Sequence, residues 1–166
     1  MSSEEITMKT PAVTPDSGEI VRRFMEDLFV QKDPEAVDNY FADEVEFIAV
    51  VPHSPELTAI VPWYGTRYTP ALVKEVYARL LANLELLAFY PEVAFGSGEN
   101  AAMFGRFRFL SKITGKVVES DWAIRATVHD GRITYFHFYE DGYTIASTFR
   151  RGGTWDIETP RAPAGP

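Results

Sequence analysis

Residues 103–141 read MFGRFRFLSKITGKVVESDWAIRATVHDGRITYFHFYED, and this stretch decides the fold. Three apolar-rich segments with alternating polar residues follow one another, as in strands that bury one face. They are joined by Ser-Lys-Ile-Thr-Gly-Lys at 111–116 and by His-Asp-Gly-Arg at 129–132, both of which have hairpin chemistry. The stretch therefore predicts three antiparallel strands, and it holds the ionisable residues with the strongest case for chemistry.

The chain before this stretch predicts three helices. A capping-box pattern at Asp16 begins a helix of about residues 15–31. Asp33 and the proline after it supply an N-cap and a first-turn residue for a short second helix. Thr69, also followed by proline, begins a third helix in which leucine and valine recur at intervals of three and four residues.

Period-two patterns predict the strands at 44–51, 88–96, 101–110, 117–128 and 132–140, with a helical turn within 142–150. Helices followed by hairpin-linked strands indicate an α+β domain in which helices cover one side of an antiparallel sheet. We place this domain at 14–155, after a mobile arm at 1–13 and before a disordered, proline-rich tail at 156–166.

Composition limits the classes of partner. The 166 residues carry a net charge of −8, which disfavours nucleic acid and anionic membrane surfaces. The chain has no cysteine, and hence no disulfide or thiolate chemistry. Neither a signal-peptide pattern nor an apolar run of membrane-spanning length is present, so a cytoplasmic location is expected.

Two-residue turns at 114–115 and 130–131 predict which side chains share a face. Phe107 then faces Trp122, which in turn faces Tyr139. One face is an apolar wall with an imidazole and a carboxylate, formed by Phe107, Phe109, Trp122, Ile124, Tyr135, His137, Tyr139 and Asp141. The other face carries the charged residues Arg106, Arg108, Glu119, Asp121, Arg125 and Glu140. Cross-strand ion pairing explains the charged face without any catalytic role.

A second register is open. A bulged three-residue loop at 129–131 would shift the pairing by one and bring Asp121 onto the face of His137 and Asp141. Bulges are common where a sheet curls around a cavity.

Four short motifs follow one another along the chain in a characteristic order. They are Trp63-Tyr64-Gly65-Thr66 before the long helix, Asp121-Trp122-Ala123-Ile124, Asp130-Gly131-Arg132-Ile133 and Tyr139-Glu140-Asp141. Over residues 16–155 the chain thereby resembles the nuclear-transport-factor-2-like superfamily, in its SnoaL-like, polyketide-cyclase-related branch. The resemblance implies a cone-shaped, strongly bent antiparallel sheet around a pocket, and commonly a homodimer formed through the sheet.

Such domains include ketosteroid isomerases, aldol cyclases, limonene-type epoxide hydrolases and non-catalytic binding domains, so the fold does not fix the function. The epoxide hydrolases use an Asp–Arg–Asp arrangement, in which Arg108 and Asp141 match but Leu110 occupies the remaining aspartate position. Epoxide hydrolysis is therefore disfavoured. Ketosteroid isomerases need a base together with a tyrosine and a protonated aspartate as oxyanion donors, and the sequence offers no convincing set of all three. An acidic base with a nearby histidine, the polyketide-cyclase pattern, is easier to accommodate.

Asp141 and His137 are the leading catalytic candidates. An aspartate in an aromatic pocket loses hydration, which raises its pKa and makes it a better base near neutral pH, while histidine donates or relays a proton. The alternative is that Asp141 caps the segment after it and His137 is a satisfied, half-buried residue. Asp121 is the other candidate base in the bulged register, and otherwise pairs with Arg108.

The expected substrate-binding wall consists of Trp63, Tyr64, Trp122, Tyr139 and Phe107. His53 lies in the irregular segment 52–68, where exposed histidines are usually inert. The three histidines lack metal-ligand spacing, so we expect no metal and no cofactor. The leading hypothesis is an isomerase or cyclase that abstracts a proton next to a carbonyl of a hydrophobic, polyketide- or terpenoid-like molecule. The alternative is a non-catalytic binding or scaffold domain of the same fold.

Overall fold

The computed structural model describes residues 16–153. The arm predicted at 1–13 and the tail predicted at 156–166 lie outside the described residues, as do the last positions at each end of the expected domain. None of the helices within 16–153 is long and apolar enough to cross a membrane.

Two of the three predicted caps begin helices, whereas the second helix begins after Glu35 without a side-chain cap and Asp33 accepts the Glu35 N–H in the turn before it. The Asp16 side chain accepts the Glu19 N–H and begins α1 (Ser17–Met25), which continues as one π-helical turn (Glu26–Val30). The short α2 (Ala36–Tyr40) follows. Thr69 caps α4 (Pro70–Asn83) by accepting the Leu72 N–H.

The segment 52–68 is more ordered than the predicted irregular loop. It contains α3 (Pro55–Ile60), which is capped by Ser54, and the three-residue strand β2 (Gly65–Arg67). Both elements are too short to give a periodic signal in the sequence, which is why the prediction missed them.

Six strands form one curved, unclosed sheet in the order β2-β1-β6-β5-β4-β3. The remaining strands are β1 (Phe41–Ala49), β3 (Leu84–Ser97), β4 (Asn100–Ser111), β5 (Val117–His129) and β6 (Arg132–Glu140). All neighbours are antiparallel except β1 and β6, which are parallel. The short helix α5 (Gly142–Thr148) follows β6 directly. The α+β class and the bent sheet are thus confirmed.

The β4–β5 faces match the prediction, although the pairs are displaced by two residues. Trp122 lies opposite Gly105 rather than Phe107, because the connection between the strands is longer than a two-residue turn. A displacement of two preserves the face of every side chain. Phe107 and Trp122 accordingly remain together on the buried side.

The β5–β6 pairing does not follow the two-residue-turn register throughout. His129 pairs with Arg132 as that turn requires, but Thr134 is unpaired, so Thr127 lies opposite Tyr135 and Trp122 opposite Glu140. This bulge moves every later β6 side chain to the other face. The predicted grouping of Tyr135, His137, Tyr139 and Asp141 with the apolar wall is therefore wrong.

Aromatic side chains fill the concave side of the sheet. Phe24 of α1 makes edge contacts with the rings of Phe41 and Phe136, and Phe47 stacks on Phe136 with ring centroids 5.5 Å apart. The helices cover this concave side, and a cavity remains between them and the sheet.

Candidate functional site

A cavity of about 40 Å³ opens between α4, the segment before β2 and the concave sheet face. Its walls are almost entirely apolar, and most of them are aromatic. The lining residues are Phe29, Phe47, Ala49, Val50, Trp63, Tyr64, Val76, Tyr77, Leu80, Phe89, Phe107, Phe109, Phe138 and Glu140. Within residues 16–153, Glu140 is the only lining residue with an acidic side chain.

Glu140 reaches the cavity because of the β6 bulge. It follows Phe136 and Phe138 at intervals of two, and all three lie on the face that the sheet turns towards the helices. Loss of hydration at this position raises the pKa of the Glu140 carboxyl to about 7, an effect that the nearby Asp141 charge adds to and the Tyr64 hydrogen bond opposes. Both the protonated and the ionised form of this carboxyl are therefore expected at neutral pH.

Tyr64 holds one oxygen of this carboxyl group. Its hydroxyl donates to Glu140 Oε1 at 2.5 Å, and the tyrosine is almost completely buried beneath Trp63. Burial, together with the neighbouring carboxylates, raises the pKa of the Tyr64 hydroxyl, which therefore stays protonated and can donate to Glu140. Among the described residues nothing donates a hydrogen bond to Glu140 Oε2, so this oxygen is available to a ligand.

Asp141 does not line the cavity. Its Oδ1 accepts the Thr144 N–H at 3.0 Å and its Oδ2 accepts the Thr144 hydroxyl at 2.5 Å, which makes it the exposed N-cap of α5. These hydrogen bonds lower the pKa of the Asp141 carboxyl, the opposite of what a general base requires. The structure thus places Asp141 in the capping role that the sequence had left as the alternative.

Asp121 and His137 share a face, as the bulged register predicted, but it is the outer one. Asp121 is exposed and lies opposite Arg106 rather than Arg108. His137 is buried at the β1 edge, where its Nε2 donates to the Val50 carbonyl at 3.1 Å and its ring stacks on Tyr139. The structure therefore does not bring His137 together with a carboxylate in the cavity.

The expected wall residues separate into two groups. Trp63, Tyr64 and Phe107 line the cavity, and Tyr139 lies outside it, 41% exposed. Trp122 forms the layer behind the wall, stacked between Phe89 and Phe138 with centroids 5.2 and 5.8 Å away. Its ring occupies the space above Gly105, where a Cβ atom would lie 2.3 Å from it.

Glu140 is absent from the expected site residues because the two-residue-turn register places it on the charged outer face. A signal for the other face is the run Ile133-Thr134-Tyr135-Phe136-His137-Phe138, in which the two phenylalanines fit a buried face only if one residue before them is skipped. His53 is exposed and lies outside the cavity lining. Within residues 16–153 no three His, Asp or Glu side chains cluster closely enough to hold a metal ion.

Comparison with known proteins gives the family. The sequence model of the SnoaL-like domain matches residues 21–136 of the chain. Patulin synthesis protein F of Aspergillus clavatus is 32% identical over 131 residues, which are 76% of this chain and 66% of that protein. The chain thus spans just under two thirds of the length of this curated relative.

Solved structures with low sequence identity share the fold. An NTF2-like protein from Burkholderia thailandensis E264 has a TM-score of 0.70 at 22% identity, covering 82% of this chain and 98% of its own. TerC, co-crystallised with polyporic acid, has a TM-score of 0.66 at 20% identity, covering 79% of this chain and 95% of its own. At these identities the likeness concerns the fold alone.

Proposed function

The chain belongs to the SnoaL-like domain family, and from this premise we propose that it abstracts a proton next to a carbonyl group of a small hydrophobic molecule, with Glu140 as the base. The reaction is an isomerisation or an intramolecular ring closure. A relative named for patulin synthesis and a neighbour co-crystallised with polyporic acid support a small-molecule ligand.

The Glu140 carboxyl in the aromatic cavity carries the proposal. General bases work best when their pKa lies near the pH of the reaction, because they are then ionised and still strongly basic. A pKa of about 7 meets this condition at neutral pH. The exposed acids on the outer face of the sheet lack the apolar surroundings that make a carboxylate more basic.

The geometry supports separate tasks for the two carboxyl oxygens. Tyr64 fixes Oε1 and limits rotation of the group, while Oε2 receives the proton from the substrate carbon. The C–H electron pair moves into the enolate. Glu140 then returns the proton to another carbon, or the enolate carbon attacks a second carbonyl of the same molecule and the alkoxide that forms takes the proton back from Glu140. Both routes are redox-neutral and need no oxidant or reductant.

Hydrogen exchange tests this step without knowledge of the product. Small cyclic ketones and 1,3-diketones are incubated in D2O with the protein, and deuterium at the carbon next to the carbonyl is followed by NMR. We expect the wild type to accelerate exchange in at least one compound, and Glu140→Gln to reduce the acceleration by about 10²–10⁴-fold. Exchange by Glu140→Gln at the wild-type rate would exclude Glu140 as the base.

A non-catalytic binding domain is the second candidate, favoured by the presence of only one acidic side chain in the cavity lining. It predicts that compounds bind, seen as chemical-shift changes of cavity residues, while none of them exchanges faster than in buffer. Asp141→Asn is the matched control in both experiments, because it removes the adjacent charge and keeps the α5 cap acceptor.

A further inference from the structure

Tyr77 of α4 is a further polar side chain of the cavity, in addition to Tyr64 and Glu140. Its ring is only 9% exposed and makes edge contacts with Phe29 and Phe47, with centroids 5.7 and 5.9 Å away. These two phenylalanines also line the cavity. Burial raises the pKa of the Tyr77 hydroxyl, which remains protonated.

The Tyr77 hydroxyl has no hydrogen-bond partner within residues 16–153. Other buried or half-buried tyrosines are paired: Tyr40 donates to Asp27 at 2.6 Å and Tyr64 donates to Glu140. Tyr77 lines the cavity, and within residues 16–153 its hydroxyl is not one of the fully buried unpaired polar atoms, unlike the Trp122 indole nitrogen. An unpaired buried hydroxyl destabilises a protein, and phenylalanine would make the same ring contacts without that cost.

We infer that Tyr77 binds an oxygen atom of the ligand, at a point separate from the Tyr64–Glu140 pair. This inference rests on the proposed function for the choice of cavity, and it names the ligand class. No hydrogen bond links Tyr77 to either member of the pair. Its ring instead contacts the rings of Phe24 in α1 and Phe47 in β1. A ligand that reaches both points presents an oxygen atom to Tyr77 and, at a second position, a C–H or O–H group to the free Glu140 Oε2.

The size of the cavity limits the ligand further. About 40 Å³ is far below the roughly 300–1,000 Å³ of sites that enclose drug-sized molecules. Aromatic rings form most of the wall, and flat ligands stack well on them. The ligand class is therefore a small, flat, oxygen-bearing molecule rather than a polycyclic polyketide or terpenoid.

The test uses two probes of equal shape, 1,4-dihydroxybenzene under nitrogen and p-xylene, in which methyl groups replace the hydroxyls. Binding to the full chain is measured by calorimetry for the wild type and for Tyr77→Phe. We expect Tyr77→Phe to weaken dihydroxybenzene about 5–30-fold, the loss of one hydrogen bond, and to leave p-xylene unchanged. Thermal stability of the unliganded variant is expected to equal or exceed that of the wild type.

Tyr40→Phe is the control, because it removes a hydroxyl that is paired with Asp27 outside the cavity lining. It is expected to lower stability and to leave both affinities unchanged. The inference is overturned by equal losses for both probes, by unchanged dihydroxybenzene binding in Tyr77→Phe, or by failure of both probes to bind the wild type at low-millimolar concentration. These measurements involve no catalysis. Their outcome therefore does not depend on whether Glu140 acts as the base.

Discussion

Trp122 of β5 lies directly opposite Glu140 of β6. In the simple hairpin register Trp122 would face Tyr139, and Glu140 would point outwards. The unpaired Thr134 displaces the strand by one residue and brings a carboxyl group to the cavity that the Trp122 layer supports. The candidate base of the protein is therefore determined by one bulge.

Replacing Glu140 with glutamine is expected to stabilise the protein above neutral pH. The pKa of Glu140 is raised from 4.5 to about 7 on folding, so the wild type loses stability as the pH rises between these values, and glutamine does not titrate. We expect the free energy of unfolding of Glu140→Gln to exceed that of the wild type by about 1–3 kcal/mol at pH 8, a range that is discounted for partial exposure of Glu140. No difference of this origin is expected below pH 4.5. Urea unfolding at several pH values measures this free energy.

The matched control is Glu44→Gln, at an exposed position of β1. It makes the same glutamate-to-glutamine change without burial of the side chain. A pH-independent effect of Glu140→Gln would contradict burial of the Glu140 carboxyl group.

Replacing Tyr64 with phenylalanine is expected to move the acid limb of the exchange rate to higher pH. The Tyr64 hydrogen bond lowers the pKa of Glu140, so its loss raises that pKa further and leaves less base at pH 7. We expect roughly a tenfold lower rate at pH 7, with partial recovery at pH 9. An equal loss at every pH would mean that Tyr64 acts only through packing.

Asp141 provides a test of capping against catalysis. Asp141→Ala removes the acceptors of the Thr144 N–H and hydroxyl, and is expected to cost about 1 kcal/mol at pH 7. The pKa of Asp141 is lowered in the folded protein, so the loss relative to the wild type should shrink as the pH falls through that pKa. Chemical unfolding of Asp141→Ala and Asp141→Asn separates the cap from the charge.

In the wild type the Asp141 charge raises the pKa of Glu140, and both variants remove that charge, so the pKa of Glu140 is expected to fall. The acid limb of the exchange rate is therefore expected to move to lower pH in each, with the plateau retained. A collapse of the plateau in Asp141→Asn would return Asp141 to the mechanism.

His137 is expected to stabilise the backbone of the cavity wall. Val50 has a φ of 62°, a costly conformation for a β-branched residue, and its carbonyl accepts the His137 Nε2 hydrogen bond while its N–H donates to the Phe138 carbonyl. Because glycine adopts this φ without strain, the loss of stability in His137→Phe should be smaller in a Val50→Gly background. Additive free energies of unfolding would show that the contact does not restrain Val50.

Much of the fold followed from local patterns. The caps at Asp16 and Thr69 and the β4–β5 alternation specify elements through neighbouring residues, and the structure has them at those places. The family resemblance was also visible in the sequence, because short motifs such as Trp63-Tyr64-Gly65-Thr66 are defined by the order of residues alone. Trp63 and Tyr64 were accordingly expected in the wall, and both line it.

The identity of the acid in the cavity could not be obtained in this way. Strand alternation fixes relative orientation along β6, but a single unpaired residue reverses which half of the strand faces inwards. The sequence by itself determined that β6 ends in adjacent carboxylates, Glu140 and Asp141. Only the tertiary structure decided that Glu140 enters the cavity and Asp141 caps α5, because the Thr134 bulge packs Phe136 and Phe138 against the core.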